Sequence, residues 1–224
     1  MPRSRCPQCH TTIAWYDNIP VLSWLLLKAQ CRSCKKPISI LYPFIELLTT
    51  ALLTLLYLYI PHHYFFAYFV FFSALIVTIR SDIETMLISQ YVTLFLVPAA
   101  FIFSAYELLH ISLFESIAGA IVGYLILPII NYIFKKLRNK NGIGAGDFDL
   151  LMLIGSFTGI VGCWATITLG SAAGSLYGLT YLAYDYRANR NSSITYNTKI
   201  PFGPFLSFGA IVFVFLHNYI VHLF

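Results

Sequence analysis

Residues 142–151 read GIGAGDFDLL and mark the point where a polar loop gives way to an apolar run. Three glycines at every second position precede Asp147, and a long hydrophobic stretch follows it at once. Glycine lets the backbone bend, or pass close to another segment where a side chain would clash. A carboxylate at the start of a helix is favoured by the helix dipole. The stretch therefore predicts a helix that begins at the edge of an apolar environment with an acid at its mouth.

The composition of the whole chain agrees with a membrane environment. Of its 224 residues, 58% are hydrophobic and 10% are charged, whereas an average soluble domain has about a quarter charged residues. This composition predicts a membrane protein and excludes an ordinary soluble domain. The chain begins MPRSRCPQCH, which is polar and cationic and does not resemble a cleaved signal peptide. We expect the first span to act as its own insertion signal.

Apolar stretches of about 20 residues, the length that crosses roughly 30 Å of hydrocarbon, predict an all-α, polytopic membrane helix bundle. About seven spans are expected, at Tyr42–Ile60, Tyr64–Ile79, Leu87–Tyr106, Phe114–Phe134, Phe148–Ile160, Gly162–Tyr184 and Phe202–His222. No charge interrupts the run from Leu150 to Ala183. The fifth and sixth spans are therefore divided by length alone, near residues 159–162.

The basic residues test this count, because Lys and Arg near span ends concentrate on the cytoplasmic side of a membrane. With the amino terminus inside, the inner segments are residues 1–41, 80–86, 135–147 and 185–201. They contain all 14 Lys and Arg residues of the chain, and the predicted outer loops contain none. The distribution predicts an N-in, C-out topology. The same distribution accounts for the net charge of +5. We therefore expect membrane lipid as a partner and expect no nucleic-acid partner.

Four of the five cysteines precede the first span and form two CxxC pairs, Cys6 with Cys9 and Cys31 with Cys34. This spacing is close to that of zinc ribbons, in which four thiolates close a tetrahedral zinc site. Two disulfides or four unliganded thiols are the alternatives, and the predicted cytoplasmic location disfavours disulfides. The sequence therefore predicts a zinc-ribbon-like domain over residues 1–41, with a structural zinc ion, and a transmembrane domain over residues 42–224.

Four acidic residues stand at span ends on the predicted inner side: Asp82, Glu84, Asp147 and Asp149. An acid at membrane depth is a candidate functional residue, but one at the boundary can be a solvated helix cap. Capping is the more natural interpretation of Asp82 alone, because Ser and Asp both favour helix starts. Two aspartates from separate helices at one depth would instead form an aspartyl protease pair, which shares a proton, deprotonates a water and polarises the scissile carbonyl. The sequence shows that Asp82 and Asp147 can meet, and not that they do.

Six stretches of the chain together resemble one family. They stand in the order found in type IV prepilin peptidases, the membrane aspartyl proteases of the GxGD kind, and read SRCPQCHTTIAWYDNIPVLSWL, CRSCKKPIS, YPFIELLT, DIETMLI, GIGAGDF and IPFGPFL. The resemblance implies cleavage of the basic leader of type IV prepilins or type II secretion pseudopilins. The cut follows a glycine ahead of the pilin's apolar helix, on the cytoplasmic side of the bacterial inner membrane.

The resemblance also implies roles for particular residues. Carried over by motif, Asp82 and Asp147 are the catalytic pair and the four cysteines of the CxxC pairs are the zinc ligands. Supporting positions are Glu84, Gly144, Gly146 and Asp149. Many members of the family also methylate the new amino terminus with S-adenosylmethionine, and the sequence does not identify the residues that would bind that cofactor.

The chain departs from the family pattern in four places. The family usually has an additional span before the cysteines. Leu41 stands where an arginine is common, and Ser89 and Gln90 stand where a proline and a polar or acidic residue are common. Asp149 replaces a usual lysine, which reverses the charge beside Asp147.

Two functions of other classes compete with the peptidase. One is an impaired or truncated homologue that acts as a pilin-binding or assembly factor. The other is a multispan transporter, although transporters often show internal repeats and none is visible here.

Overall fold

The computed structural model describes residues 4–138, 144–188 and 201–223. In this part of the chain the regular elements are helices, and no strand is present. After a short 3-10 helix, Trp15–Asn18, come α1 (Leu22–Leu26), α2 (Leu41–Tyr59), α3 (His62–Thr85), α4 (Gln90–Ala105), α5 (Leu113–Arg138), α6 (Ala145–Ala188) and α7 (Gly203–Leu223). The predicted all-α class is confirmed. Helices suit these apolar runs because a segment in lipid must satisfy its backbone hydrogen bonds internally.

Four of the described helices are long and apolar enough to cross a membrane, namely Leu41–Tyr59, His62–Thr85, Leu113–Leu137 and Ala145–Tyr184. Two shorter apolar helical stretches are Gln90–Ala105 and Gly203–His217. The chain is therefore a multi-pass membrane protein. Helix α3 is longer than the predicted second span, Tyr64–Ile79. It continues through the six residues that follow Ile79 and ends at Thr85. Hydropathy falls where the charges begin, but the helical hydrogen bonds do not stop there.

Residue contacts divide the chain into two compact units, Met1–Thr54 and Leu55–Phe224. In the first unit, α1 lies between the two CxxC turns in the chain, and the first part of α2 follows the second turn. Glu46, one turn into α2, accepts a hydrogen bond of 2.7 Å from the Val21 amide. Trp24 Nε1 donates to the Ile38 carbonyl at 3.1 Å. These bonds fix the chain between the two cysteine pairs.

In the second unit, α6 is not one straight helix. Gly159 interrupts it with φ +72° and ψ −174°, a backbone conformation that glycine adopts without steric cost. A Cβ atom on Gly155 would lie 2.6 Å from the sulfur of Cys163. Eight residues of straight helix would separate these positions by about 12 Å, so the chain turns back on itself at Gly159. This reversal falls where the sequence divides the fifth predicted span from the sixth.

Helix α5 packs closely against the first half of α6 through glycines. A Cβ atom on Gly119 would overlap the carbonyl oxygen of Gly155, and a Cβ atom on Gly123 would overlap that of Leu151. Small residues at four-residue spacing allow such an approach in lipid. The isolated fifth cysteine, Cys163, is buried here, and its thiol donates to the Gly119 carbonyl at 3.5 Å. Cys163 therefore contributes to the packing of the second unit.

Candidate functional site

Asp82 lies in the last turn of α3 and is only 5% exposed. A carboxylate there faces the negative end of its own helix dipole, so it does not stabilise α3. Its Oδ2 atom accepts a hydrogen bond of 2.9 Å from the amide of Gly203. Gly203 is the first residue of α7, and a helix amino terminus offers free N–H groups and a favourable dipole to an anion. Asp82 therefore does not cap the start of its own helix, and the start of α7 supplies the electrostatic partner that α3 lacks.

Asp147 lies in the first turn of α6 and is 8% exposed. Its Oδ2 atom accepts a hydrogen bond of 3.2 Å from the Gly144 amide, and its own amide donates to the Gly144 carbonyl at 3.3 Å. This reciprocal pair is the acidic half of a capping box. Asp147 also interacts electrostatically with Asp82. The structure thus brings together two buried aspartates from separate helices.

Ile88, in the connection between α3 and α4, explains why two glycines stand at this site. A Cβ atom on Gly146 would lie 2.9 Å from the Cβ atom of Ile88. A Cβ atom on Gly203 would lie 3.2 Å from Ile88 Cδ1 and 2.7 Å from Asp82 Oδ2. Ile88 therefore fills the space between the starts of α6 and α7, and a side chain at either glycine would displace Ile88 or the Asp82 carboxylate. Gly142, the first glycine of GIGAGD, lies outside the described residues.

The acid that replaces the family's usual lysine is directed away from the aspartate pair. Asp149 is buried, and its Oδ2 atom accepts a hydrogen bond of 3.0 Å from Gln90 Nε2. Gln90 is the first residue of α4. Because residues two apart on a helix point about 200° apart, Asp149 and Asp147 use different faces of α6. Two positions at which this chain departs from the family pattern are thus paired with each other.

Glu84 is placed differently from the other acids. It lies in the last turn of α3 with an exposed side chain, and its Oε1 atom is 3.4 Å from Arg80 Nη2, one turn earlier. This is a surface pair of the kind that contributes little to stability. Because the Glu84 carboxylate pairs with Arg80, it is separate from the contacts that Asp82 makes.

The four cysteines of the first unit form one cluster. Their sulfur atoms all lie within 4.8 Å of one another, and the sulfurs of Cys6 and Cys34 are 4.0 Å apart. Four thiolates around zinc at the usual Zn–S distance would be about 3.8 Å apart. The cluster could therefore hold a metal ion such as zinc, and a tetrahedral site closed by four thiolates would leave no open coordination position.

The two CxxC turns are built alike. The Cys6 amide donates to the Thr11 carbonyl at 3.0 Å, and the Cys31 amide donates to the Lys36 carbonyl at 2.9 Å. Hydrogen bonds from Thr11 lower the pKa of the Cys9 thiol to about 6. Backbone hydrogen bonds from Cys34 and Ser33 lower the pKa of Cys31. Against a backbone hydrogen bond from Lys36, burial and the neighbouring thiols raise the pKa of Cys34 to about 11. Because thiolates are the metal-binding form of cysteine, each turn offers one cysteine, Cys9 or Cys31, that is prepared to bind a cation.

Sequence reasoning did not single out Gly203 or Ile88. A signal for Gly203 is present, since IPFGPFL combines prolines with the start of an apolar run, as helix starts do. A helix start exposes backbone N–H groups that an acid can use. Nothing in the sequence distinguishes Ile88 from the many other apolar residues.

Comparison with known proteins adds an independent finding. The model of the type IV leader peptidase family matches residues 69–179, and that of the bacterial peptidase A24 N-terminal domain matches residues 1–60. A prepilin leader peptidase/N-methyltransferase of Aeromonas salmonicida is 34% identical over 208 residues, which are 92% of this chain and 69% of the relative. One of Klebsiella pneumoniae is 38% identical over 173 residues, 77% of this chain and 75% of the relative. One of Burkholderia pseudomallei is 34% identical over 216 residues, with coverages of 96% and 67%. No solved structure matches.

We expect the purified chain to bind a single zinc ion through the cysteine cluster. A Cys6→Ser/Cys34→Ser variant should lose the metal, because two hydroxyls are poor replacements for thiolates around zinc. Cys163→Ser is the matched control and should keep it, since Cys163 contacts Gly119 and not the cluster. Metal content after dialysis is the measurement, and a double variant that still carries zinc would contradict the assignment.

The contact between Gln90 and Asp149 predicts an asymmetric effect on stability. Gln90→Leu removes the donor and leaves a buried carboxylate, so the free energy of unfolding should fall by about 1–3 kcal/mol. Asp149→Leu leaves only the amide of Gln90, whose side chain is exposed to solvent, and should cost less. Thermal denaturation in detergent compares the two variants. Equal stability of Gln90→Leu and the parent protein would argue against the contact.

Proposed function

The chain belongs to the type IV leader peptidase family, and we propose that it cleaves the basic leaders of type IV prepilins or type II secretion pseudopilins. The observation that carries this proposal is the pair of buried aspartates, Asp82 and Asp147, which come from separate helices. Each is held through Oδ2 by a backbone amide, of Gly203 and of Gly144 respectively. A rigid pair of interacting carboxylates is what aspartic peptidases require.

In the proposed mechanism, the two aspartates share one proton, because two neighbouring carboxylates cannot both ionise cheaply. The ionised member takes a proton from a water molecule, whose oxygen attacks the carbonyl carbon of the scissile bond. The protonated member donates a hydrogen bond to the carbonyl oxygen, which carries the developing negative charge. The proton taken from the water then passes to the leaving nitrogen as the C–N bond breaks.

Three contacts support a cytoplasmic location for this chemistry. Asp82 with Gly203, Ile88 with Gly146, and Gln90 with Asp149 bring the end of α3 and the starts of α4, α6 and α7 to one end of the second unit. The segments that join the helices at this end are those that contain or adjoin basic residues, which favour the cytoplasmic side. We therefore propose an N-in, C-out chain of seven spans in the bacterial inner membrane. The two halves of α6 are then the fifth and sixth spans.

For the amino-terminal part, we propose a zinc-ribbon-like domain over residues 1–41, followed by the peptidase domain over residues 42–224. Zinc is structural in this proposal, because four thiolates would leave it no site for a substrate. The names of the relatives also support methylation of the new amino terminus, with S-adenosylmethionine as the methyl donor. The residues that bind this cofactor are not identified.

The position of Asp149 bears on the alternative of a pilin-binding factor without turnover. A negative charge beside Asp147 would favour impairment, but the Asp149 carboxylate accepts its hydrogen bond from Gln90 on another face of α6. The match to a peptidase family along the chain also leaves a transporter without support. Cleavage is therefore the function that the site supports best.

Replacement of either aspartate should abolish leader cleavage. Asp82→Asn and Asp147→Asn each remove a carboxylate that takes or gives a proton, so we expect a loss of about 10²–10⁴-fold in rate. The assay is conversion of a prepilin to its mature length in membranes that contain each variant. Glu107→Gln, an exposed acid in the predicted outer loop that follows α4, is the control. Cleavage by both aspartate variants at the parental rate would show that Asp82 and Asp147 are not the catalytic pair.

Gly203→Ala tests how closely α7 must approach Asp82. The new methyl group would lie 2.7 Å from the Oδ2 atom, so the carboxylate must shift and cleavage should fall, but by less than in Asp82→Asn because the carboxylate itself remains. Phe208→Ala, on the exposed side of the same helix, should leave cleavage near the parental level. Metal content and thermal stability show whether Gly203→Ala is still folded. A folded Gly203→Ala protein with full activity would argue against this contact.

A further inference from the structure

A groove lies between the second half of α6 and the start of α7. Its volume is about 290 Å³, and it is lined by Ser171, Gly174, Ser175, Phe202 and Phe205. Two aromatic rings and a glycine make most of its wall apolar, while the two serines stand one helical turn apart. Ligand pockets for drug-sized molecules span roughly 300–1,000 Å³, so this groove suits a single large side chain.

One residue of the chain, Gly203, links the groove lining to Asp82. Gly203, whose amide donates to Asp82 Oδ2, stands next to Phe202 and two residues before Phe205. The Phe202 carbonyl accepts hydrogen bonds of 3.1 Å from the amides of Phe205 and Leu206, so the first turn of α7 is fixed. The distance from the groove to Asp82 is therefore set by one short, hydrogen-bonded stretch.

Phe205, which lines the groove, is also held in place. A Cβ atom on Gly174 would meet the ring of Phe205 at 3.5 Å, an ordinary contact distance. The ring of Tyr177 lies 5.6 Å from that of Phe205, measured between centroids. Phe205 thus packs on α6 from one side, and its position does not depend on a bound molecule.

We propose that this groove binds the first large apolar side chain on the mature side of the scissile bond, a proposal that rests on the peptidase function above. A substrate held at Asp82 and Asp147 has a basic leader on one side of the bond and an apolar helix on the other. Charged leader residues would lose hydration against an aromatic wall, whereas an apolar side chain gains free energy by burial there. The groove also follows α7 away from Gly203 into its apolar run, the direction in which the apolar helix must lie.

The first experiment measures substrate preference with two prepilins that carry Phe or Ala as the first residue after the cleaved bond. Ser171→Leu narrows the groove from an exposed position and should lower the ratio of kcat/KM for Phe over Ala by about tenfold or more. Ala172→Leu, the exposed neighbour that does not line the groove, should keep the parental ratio. Phe202→Ala widens the groove and should raise KM for the Phe substrate by a larger factor than KM for the Ala substrate.

The second experiment does not depend on turnover. A photoreactive phenylalanine analogue is placed at the same substrate position and is irradiated with the inactive Asp147→Asn protein. Crosslinks to residues 171–175 or 202–205 are expected. Crosslinks elsewhere, or an unchanged Phe/Ala ratio in an active Ser171→Leu protein, would show that the groove holds something else, such as a lipid chain. Failure of the parent protein to cleave either prepilin would instead refute the proposed function itself.

Discussion

The site depends on a carboxylate that its own helix disfavours. Asp82 stands at the negative end of α3 and is buried, and the interaction that offsets this is the hydrogen bond from Gly203, 121 residues later in the chain. The start of α7 must therefore reach the end of α3. That requirement explains the glycine at position 203, the fit of Ile88 and the closeness of the starts of α4, α6 and α7. The charge of Asp82 is unfavourable at the end of α3, and the start of α7 stabilises it.

Glycine controls distances throughout the second unit. At Gly159 it reverses α6, so that the two halves lie side by side, and at Gly119 and Gly123 it lets α5 approach the first half. At Gly146 and Gly203 it lets two helix starts approach Ile88. Helices in lipid gain little from hydrophobic association, so close packing and buried hydrogen bonds must hold them together. The same small residue thus serves the packing of the bundle and the geometry of the site.

The sequence predicts features that depend on residues close together in the chain better than contacts between residues far apart. The helices and the cysteine cluster depend on local composition and short spacing, and both were predicted. The reversal of α6 left a weaker signal, because only its length required a break near Gly159. Helix α3 ends at Thr85, beyond the predicted span end at Ile79, because hydropathy reports the apolar run and not the helix. The contacts of Asp82 with Gly203 and of Gln90 with Asp149 join residues 121 and 59 positions apart. No pattern in a single sequence specifies such contacts. The positions of the two aspartates at span ends on one side showed that they could meet, and the family resemblance then indicated that they form a pair.

Asp147 has two roles that draw on the same carboxylate. In the capping box it holds the first turn of α6, and in the proposed chemistry it exchanges a proton. A protonated carboxyl group is a weaker partner for the Gly144 amide and for the helix dipole than an ionised one. In the proposed chemistry, each protonation of Asp147 would therefore weaken the hydrogen bond that holds the first turn of α6, so the stability of that turn is linked to the proton transfer.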